Sequence, residues 1–190
     1  MIHINNLVCE RFTFPLFRPI SVVVNAGEGL KILGPNGSGK STLLRTLAGF
    51  RTPVSGCVEI AKNVAFLGHH NNLQNDQTVT ENLFWTTKIY RSKIGLDDVM
   101  KKFQLRALEN TQVRELSAGQ KRRASLANIY CMDRSVWILD EPTVGLDTSK
   151  KKWFDGFLKS ELEGGRTIIF TTHDEHQVPR LKELRLGHCK

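Results

Sequence analysis

Cysteine is scarce in this sequence, and its cysteines are far apart. The 190 residues include only four, with no C-x-x-C pair among them: Cys9, Cys57, Cys131 and Cys189. Disulfide frameworks and thiolate metal sites depend on regularly or closely spaced cysteines, so neither is expected. The adjacent His69 and His70 are more typical of a loop than of a metal site. We predict reduced thiols in a cytosol-like compartment.

Long apolar runs are also missing. A helix that spans a bilayer needs about 18 or more consecutive apolar residues, and no stretch approaches that length. Residues 1–5 lack the charged start and the long apolar stretch of a signal peptide. We therefore expect the protein to remain where it is made and to reach a membrane only through a partner.

The charge is basic, with 27 Lys and Arg against 19 Asp and Glu and a formal net charge of +8. The main basic clusters, residues 121–123 and 150–152, fall on predicted helices, where a solvated face explains them. Aromatic residues are not interleaved as in base-stacking proteins, so no nucleic-acid partner is expected. The basic charge is also compatible with contact to anionic lipid headgroups.

The sequence contains no internal repeat and no low-complexity segment. Residues 1–190 are therefore predicted to form a single domain.

A glycine-rich stretch carries the strongest signal. It fits the phosphate-binding pattern G-x-x-x-x-G-K-[ST], and its nine residues are the candidate nucleotide ligands: Gly34, Pro35, Asn36, Gly37, Ser38, Gly39, Lys40, Ser41 and Thr42. Glycines let main-chain N–H groups point into one nest, and the helix start that follows adds partial positive charge. Lys40 would reach the β- and γ-phosphates, and the Ser41 hydroxyl would bind Mg²⁺. The stretch predicts a nucleoside triphosphate site.

Apolar strands and helices alternate over much of the chain. Strands are predicted at residues 2–4, 7–9, 20–24, 30–33, 57–60, 64–67, 136–139 and 167–172. The middle third is mainly helical: Thr78 opens one helix, and Asp97 and Asp98 cap another, whose predicted apolar face is Val99, Met100, Phe103 and Ala107. This order predicts an α/β fold whose parallel sheet holds the nucleotide at the carboxyl ends of its strands.

Two carboxylates follow the continuously apolar residues 136–139. Asp140 and Glu141 stand at the end of this strand and precede Pro142. A carboxylate at the end of a buried strand beside a phosphate loop is well placed to hold Mg²⁺, and this role falls to Asp140. Glu141 would then polarise the water that attacks the γ-phosphate.

A second phosphate-binding helix end is predicted near residue 117. Ser117 would cap a basic helix that begins at Gln120, and the small residues between them leave the helix start bare. One nucleotide rarely needs two such ends in one chain. The pattern favours two chains that face each other, each offering this end to the nucleotide on the other's phosphate loop.

Taken in order, these motifs resemble those of the ATP-binding cassette (ABC) ATPases over essentially the whole chain. Residues 34–42 match Walker A, residues 116–120 match the family signature, and residues 136–141 match Walker B. Residues 145–147 look like the D-loop, and His173 looks like the switch histidine.

The resemblance implies a mostly parallel core sheet, a small antiparallel β-subdomain and a helical subdomain over about residues 71–125. It also implies ATP as substrate and a homodimer that closes on ATP. His173 would contact the γ-phosphate, and Asp147 would link the two sites. The residues that would reach the partner's nucleotide are Ser117, Gly119 and Gln120.

Within the family, several stretches resemble the ATPase subunits of cytochrome c maturation haem exporters: residues 7–11, 25–28, 67–69, 80–83, 116–123 and 137–142. That resemblance implies ATP hydrolysis that drives release of a haem-loaded chaperone. It implies integral membrane partners, a CcmB-like permease and a CcmC-like haem-handling protein. It also implies a peripheral position on the cytoplasmic face of the inner membrane, or on the matrix face in an organelle.

Two features depart from the family pattern. His70 stands where the family has a Gln that touches Mg²⁺ and the attacking water. Mg²⁺ prefers oxygen ligands, so His70 should contribute little to the metal site. We therefore expect either that hydrolysis is slow or that the loop shifts and Gln74 takes the place of the missing Gln. The segment between Gly49 and Leu67 is short, so the adenine-stacking residue is chosen by position alone, and Phe12 is the candidate.

Other functions stay open at this point. The motor could serve another ABC importer or exporter. A soluble ABC ATPase acting on nucleic acid or ribosomes is a second class, although such proteins usually carry two cassettes or a long coiled-coil insertion. A small-molecule kinase is a third, and the second phosphate-binding helix end together with Glu141 argues against it.

Overall fold

The computed structural model describes residues 1–11, 14–60 and 64–187. The strands in chain order are β1 Ile2–Val8, β2 Glu10–Arg11, β3 Phe14–Pro15, β4 Ile20–Val24, β5 Gly29–Leu33, β6 Ser55–Ile60, β7 Val64–Leu67, β8 Val136–Leu139, β9 Thr167–Thr171 and β10 Leu181–Arg185. The α-helices are α1 Lys40–Leu47, α2 Val79–Tyr90, α3 Leu96–Lys102, α4 Ala118–Cys131 and α5 Thr148–Glu163. Short 3₁₀ helices at Arg106–Leu108 and Val113–Glu115 precede α4.

A parallel sheet forms the centre of the fold. Its strands lie in the order β10-β5-β9-β8-β7, and every neighbouring pair is parallel. All of β8 is buried, as expected for a strand covered on both faces. Val136 and Ile138 pack in the core that includes α1, whereas Trp137 and Leu139 pack in the core that includes α4 and α5. The predicted α/β fold with a mostly parallel core sheet is confirmed.

The N-terminal residues form a smaller antiparallel sheet in the order β4-β1-β6. The sequence prediction of two strands at residues 2–4 and 7–9 is wrong, because β1 is one strand. Its register shifts between Ile4 and Leu7, where Asn6 adopts a φ of 45°. Such a bulge interrupts the alternation of side chains without ending the strand. Ile4 and Leu7 remain buried in the core that includes α1.

Helix α2 begins as predicted, with Thr78 as its N-cap. The Thr78 hydroxyl accepts a hydrogen bond from the Glu81 N–H at 3.2 Å, and Glu81 Oε2 accepts one from the Thr78 N–H at 2.7 Å. This reciprocal pair is a capping box. It satisfies two donors at the start of α2 and fixes where the helix begins.

Helix α3 differs from its prediction at both ends. Gly95 is the N-cap, and the two aspartates lie in the first turn, where their charge favours the helix start. The helix ends at Lys102 with Phe103 as its C-cap, and the chain turns away at Gln104, which adopts a φ of 55°. Ala107 therefore does not continue the apolar face; it is exposed in a 3₁₀ turn, and Leu105 is buried instead.

Strand β10 was not predicted from the sequence. It pairs in parallel with β5 at the edge of the core sheet, in register from Leu181 opposite Gly29 to Arg185 opposite Leu33. Its residues are half-buried or exposed, and Lys182, Glu183 and Arg185 give it no apolar run. A strand that is open on one side tolerates such charge, so the tertiary pairing decides its structure.

The cysteines differ in burial, which gives a chemical test of the fold. Cys57 is exposed, whereas Cys9 and Cys131 are buried. Burial raises the pKa of the Cys131 thiol to about 12. Since the thiolate is the reactive form, we expect Cys131 to react with iodoacetamide at pH 8 at least ~10²-fold more slowly than Cys57. Peptide mapping after a timed pulse measures both rates; equal rates in the folded protein would contradict this packing.

Candidate functional site

The phosphate-binding stretch joins β5 to α1 in a conformation that requires glycine. Gly39 is the N-cap of α1, with a φ of 94° that residues with a side chain rarely adopt. A Cβ built at Gly39 would lie 3.0 Å from Leu16 Cβ and 3.0 Å from the Phe17 ring. Ser38 is fully buried, and its hydroxyl has no hydrogen-bond partner within the described residues. The backbone is thus shaped as a cradle with a polar group still to be satisfied.

Lys40 is folded back against this loop. Its ammonium donates to the carbonyl oxygens of Gly34 at 2.7 Å and of Pro35 at 3.2 Å, and the residue is only 7% exposed. A buried ammonium needs such acceptors. Phosphate oxygens are stronger acceptors for an ammonium, so the loop already holds the cation that would receive them.

The cavity at this loop also contains a carboxylate from the other half of the sequence. Glu141 is part of its lining, which consists of Arg11, Leu16, Asn36, Gly37, Gly39, Lys40, Ser41, Thr42 and Glu141. Sequence reasoning did not single out Arg11 or Leu16. Arg11 directly precedes Phe12, the predicted adenine-stacking residue, which lies outside the described residues.

Thr171 of β9 holds both the Asp140 side chain and the Glu141 main chain. The Thr171 hydroxyl donates to Asp140 Oδ1 at 2.6 Å and accepts from the Glu141 N–H at 2.8 Å. Glu141 has a φ of 50°, in the left-handed region. His173 Nε2 lies 3.3 Å from Glu141 Oε1, so the structure brings these two predicted residues together. Asp140 itself is buried.

The segment after β9, which carries His173, is anchored by side chains that sequence reasoning missed. The Asp174 carboxylate accepts from the Thr143 hydroxyl at 2.8 Å. His176 is buried, and its Nδ1 lies 2.5 Å from Asp155 Oδ1 of α5. Buried polar pairs of this kind fix a loop in one arrangement. The anchors hold His173 beside the strand end of β8.

Ser117 caps α4, but the helix begins at Ala118 rather than at the predicted Gln120. The Ser117 hydroxyl accepts from the Gln120 N–H at 3.3 Å, and Gln120 Oε1 accepts from the Ser117 N–H at 2.8 Å. Asp147 Oδ1 in turn accepts from the Lys150 N–H at 2.9 Å and so caps α5. The two helix starts meet in one cavity, lined by Ser117, Ala118, Gly119, Gln120, Arg123, Gly145, Leu146, Asp147 and Lys150.

None of the residues that line this cavity belongs to the phosphate loop of residues 34–42. The phosphate loop and Glu141 line one cavity, and the helix starts at Ser117 and Asp147 line a separate cavity.

Gly119 is required by close packing at the start of α4. A Cβ there would lie 2.7 Å from the carbonyl oxygen of Gly145. We expect Gly119→Ala to push residues 145–147 away from α4 and to lower the ATPase kcat by about tenfold or more. Gly156→Ala on α5 is the matched control, because nothing lies within 4 Å of its Cβ position, and it should leave kcat unchanged. Phosphate-release assays compare the variants; equal activity would contradict the packing argument.

The histidine pair after β7 includes His70, whose predicted role beside Mg²⁺ and the attacking water stays a prediction. Both histidines are exposed, with ring centroids 5.8 Å apart. His69, not His70, shares a small cavity with Glu141, and its neighbours there include Asn71 and Arg122. His70 is not among the residues that line this cavity. Gln74 is tied by its main chain to Asn82 of α2.

Within the part of the chain that the structure describes, no cluster of three or more His, Cys, Asp or Glu side chains is arranged to hold a metal ion. Magnesium does not need such a cluster, because it keeps several waters and often uses one or two protein oxygens. The Ser41 hydroxyl and the Asp140 carboxylate supply oxygens of that kind. Among the described helices, none has the length and apolarity to cross a bilayer.

A family model described as "ABC transporter" matches residues 17–144. The chain belongs to the ABC transporter family. The match includes the phosphate loop, the Ser117 helix start and the Asp140–Glu141 pair. As a member of the ABC transporter family, the chain is a nucleotide-binding, ATP-hydrolysing transporter subunit, and the predicted resemblance is confirmed.

Curated relatives narrow this similarity. The cytochrome c biogenesis ATP-binding export protein CcmA of Paracoccus denitrificans is 42% identical over 165 residues, which cover 86% of this chain and 78% of that protein. CcmA of Rhodobacter capsulatus is 35% identical over 191 residues, covering 100% of this chain and 89% of the relative. These similarities support a transporter ATPase that resembles CcmA and do not favour a soluble ABC ATPase acting on nucleic acid or ribosomes.

Solved structures support the ABC fold. An ABC transporter ATP-binding protein from Pyrococcus furiosus superposes with a TM-score of 0.85 at 24% identity, covering 97% of this chain and 96% of its own. A dimeric ATP-binding cassette in a post-hydrolysis state, bound to ADP and Pi, superposes with a TM-score of 0.78 at 23% identity, covering 92% and 88%.

Proposed function

We propose that this chain is the ATPase subunit of a haem exporter of cytochrome c biogenesis and that its ATP hydrolysis drives release of a haem-loaded chaperone. The observation that carries the ATPase chemistry is the shared cavity of Glu141 and the phosphate loop. The similarity to CcmA proteins over most of both chains supports the pathway.

We assign the chemistry to five side chains. When ATP binds, the Lys40 ammonium donates to the β- and γ-phosphate oxygens in place of the loop carbonyls that it contacts here. Ser41 and Asp140 are the residues that would hold Mg²⁺, which neutralises phosphate charge when bound. Glu141 orients the attacking water and accepts its proton. His173, whose Nε2 lies 3.3 Å from Glu141 Oε1, donates to the γ-phosphate oxygens.

The active form in this proposal is a homodimer. The cavity at Ser117, Gly119 and Gln120 holds no residue of the chain's own phosphate loop. A second copy would bring its phosphate loop and ATP to this helix start, where main-chain N–H groups favour an anion. Asp147 lines the same cavity and would link the two sites across the dimer.

The membrane partners are proposed to dock on α2. Trp85 is 53% exposed and Ile89 is 73% exposed on one face of this helix, beside the exposed Phe84. An exposed apolar patch of this kind marks a contact with another protein. We assign a CcmB-like permease to it and include a CcmC-like haem-handling protein in the complex. The chain would then sit peripherally on the cytoplasmic face of the inner membrane, or on the matrix face in an organelle.

Removing the apolar patch tests the docking proposal. The double variant Trp85→Ser and Ile89→Ser should fold normally, because exposed positions contribute little to stability. We expect its recovery with the permease after detergent extraction to fall at least ~10-fold. Val23→Ser, at an exposed valine of β4, is the matched control. Undiminished recovery of the permease with the double variant would refute this docking site, and absence of any membrane protein with the unaltered chain would refute the transporter role.

A further inference from the structure

Arg122 connects three parts of the molecule. It lies on α4, is 5% exposed, and its guanidinium donates to main-chain carbonyls. Its Nη1 reaches the Gly68 carbonyl at 3.3 Å, and Nη2 reaches the carbonyls of Asp140 and of Glu141, the latter at 2.9 Å. Nη1 also lies 3.5 Å from Asn71 Oδ1. One side chain therefore joins α4, the loop after β7 and the catalytic strand end.

A buried guanidinium is costly, and its surroundings show what offsets the cost. Burial lowers the pKa of Arg122 to about 10, against the opposing charges of Asp140 and Glu141. Arg122 therefore remains a cation at neutral pH. A planar guanidinium can donate to several carbonyls at fixed angles, which an ammonium cannot do. The side chain is suited to holding main-chain atoms in place.

The main chain that it holds is in an unfavourable conformation. Glu141 has a φ of 50°, in the left-handed region that a non-glycine residue rarely adopts. Thr171 fixes its N–H from one side at 2.8 Å, and Arg122 fixes its carbonyl from the other at 2.9 Å. Without the second contact, the residue would be free to relax and the carboxylate would leave the phosphate loop.

We propose that Arg122 is a positioning residue for hydrolysis: it holds the Glu141 of its own chain in the left-handed conformation that points the carboxylate into the nucleotide cavity. Through α4 it ties this carboxylate to the Ser117 helix start. The site that hydrolyses ATP in one subunit is thereby mechanically joined to the helix end that serves the other subunit. The second statement rests on the proposed dimer, whereas the first concerns contacts within one chain.

Mixed dimers separate action within a chain from action across the dimer. The reference carries Glu141→Gln in one subunit only, purified with two different tags, so that one site remains live. In the first arrangement, Arg122→Met is added to the subunit that already carries Glu141→Gln. In the second, it is added to the opposite subunit, so the live Glu141 has lost its own arginine. Single-turnover hydrolysis in the full complex is the measurement.

We expect the second arrangement to lose about tenfold in hydrolysis rate with unchanged ATP affinity, and the first to match the reference. Equal losses in both arrangements, or a loss confined to the first, would overturn the assignment. A purely structural role would lower the melting temperature equally in both and would not separate them. Arg122→Lys, which keeps the charge in place, should show the same dependence on arrangement if Arg122→Met does not fold.

The proposal can fail independently of the dimer. If the chain proves to hydrolyse ATP as a monomer, the proposed dimer is wrong, but Arg122→Lys should still lower kcat about tenfold without a change in KM. If dimers with Glu141→Gln in one subunit show no hydrolysis, the variant with Arg122→Lys in both subunits and an unaltered Glu141 tests the role of Arg122 instead. An unchanged kcat, or a loss seen only in ATP affinity, would overturn the role of Arg122.

Discussion

Replacing Glu141 by Gln is expected to lower kcat by roughly 10²–10⁴-fold, the usual contribution of a positioned general base. Glutamine keeps the size of the side chain but cannot accept a proton from the attacking water. The cavity residues that would hold phosphate, including Lys40 and Ser41, are unchanged. ATP binding should survive, and the bound ATP should trap the dimer.

The measurements are phosphate release, nucleotide affinity and mass in solution with saturating ATP and Mg²⁺. Glu163→Gln makes the same chemical change at an exposed position near the end of α5 and serves as the control. Hydrolysis by Glu141→Gln at the unaltered rate would remove the role assigned to Glu141. A variant that lost activity but stayed monomeric, even with its membrane partners, would instead contradict the dimer.

Lys40→Ala should act on binding itself. Its ammonium is nearly buried and already bonded to two loop carbonyls, so the loop is built around a cation at this place. A hydrogen bond to a charged group contributes about 1.5–3 kcal/mol, and loss of one or two of them should weaken ATP binding by about 10²-fold or more. The same substitution removes the two hydrogen bonds from Lys40 to the loop carbonyls.

Equilibrium binding of a fluorescent ATP analogue gives the dissociation constant directly. Thermal shift gives a second reading, because a ligand at 100 times its dissociation constant stabilises a protein by about 2.7 kcal/mol. Lys152→Ala, at an exposed lysine of α5, controls for the loss of one positive charge. Unchanged affinity in the Lys40 variant would mean that this cavity does not receive the phosphates.

The stretches with strong local signals were predicted correctly. The capping box at Thr78 and the buried strand β8 depend on residues within a few positions of one another. Weaker local signals failed where longer-range contacts decide. The predicted extension of α3 to Ala107 was wrong because the chain turns at Gln104. Strand β10, with its charged residues, exists because β5 offers it an unpaired edge.

The nucleotide site also has parts that the sequence alone determined and parts that only the tertiary structure decided. The sequence alone determined the phosphate loop, because its glycines and Lys40 act through backbone geometry over a few consecutive residues. It also determined that Glu141 follows a buried strand. Only the tertiary structure decided that Glu141 lines the cavity of that loop and that Thr171 and Arg122 clamp its main chain. Their contacts span 30 and 19 residues, and separations of that length become neighbours only once the sheet and helices have packed.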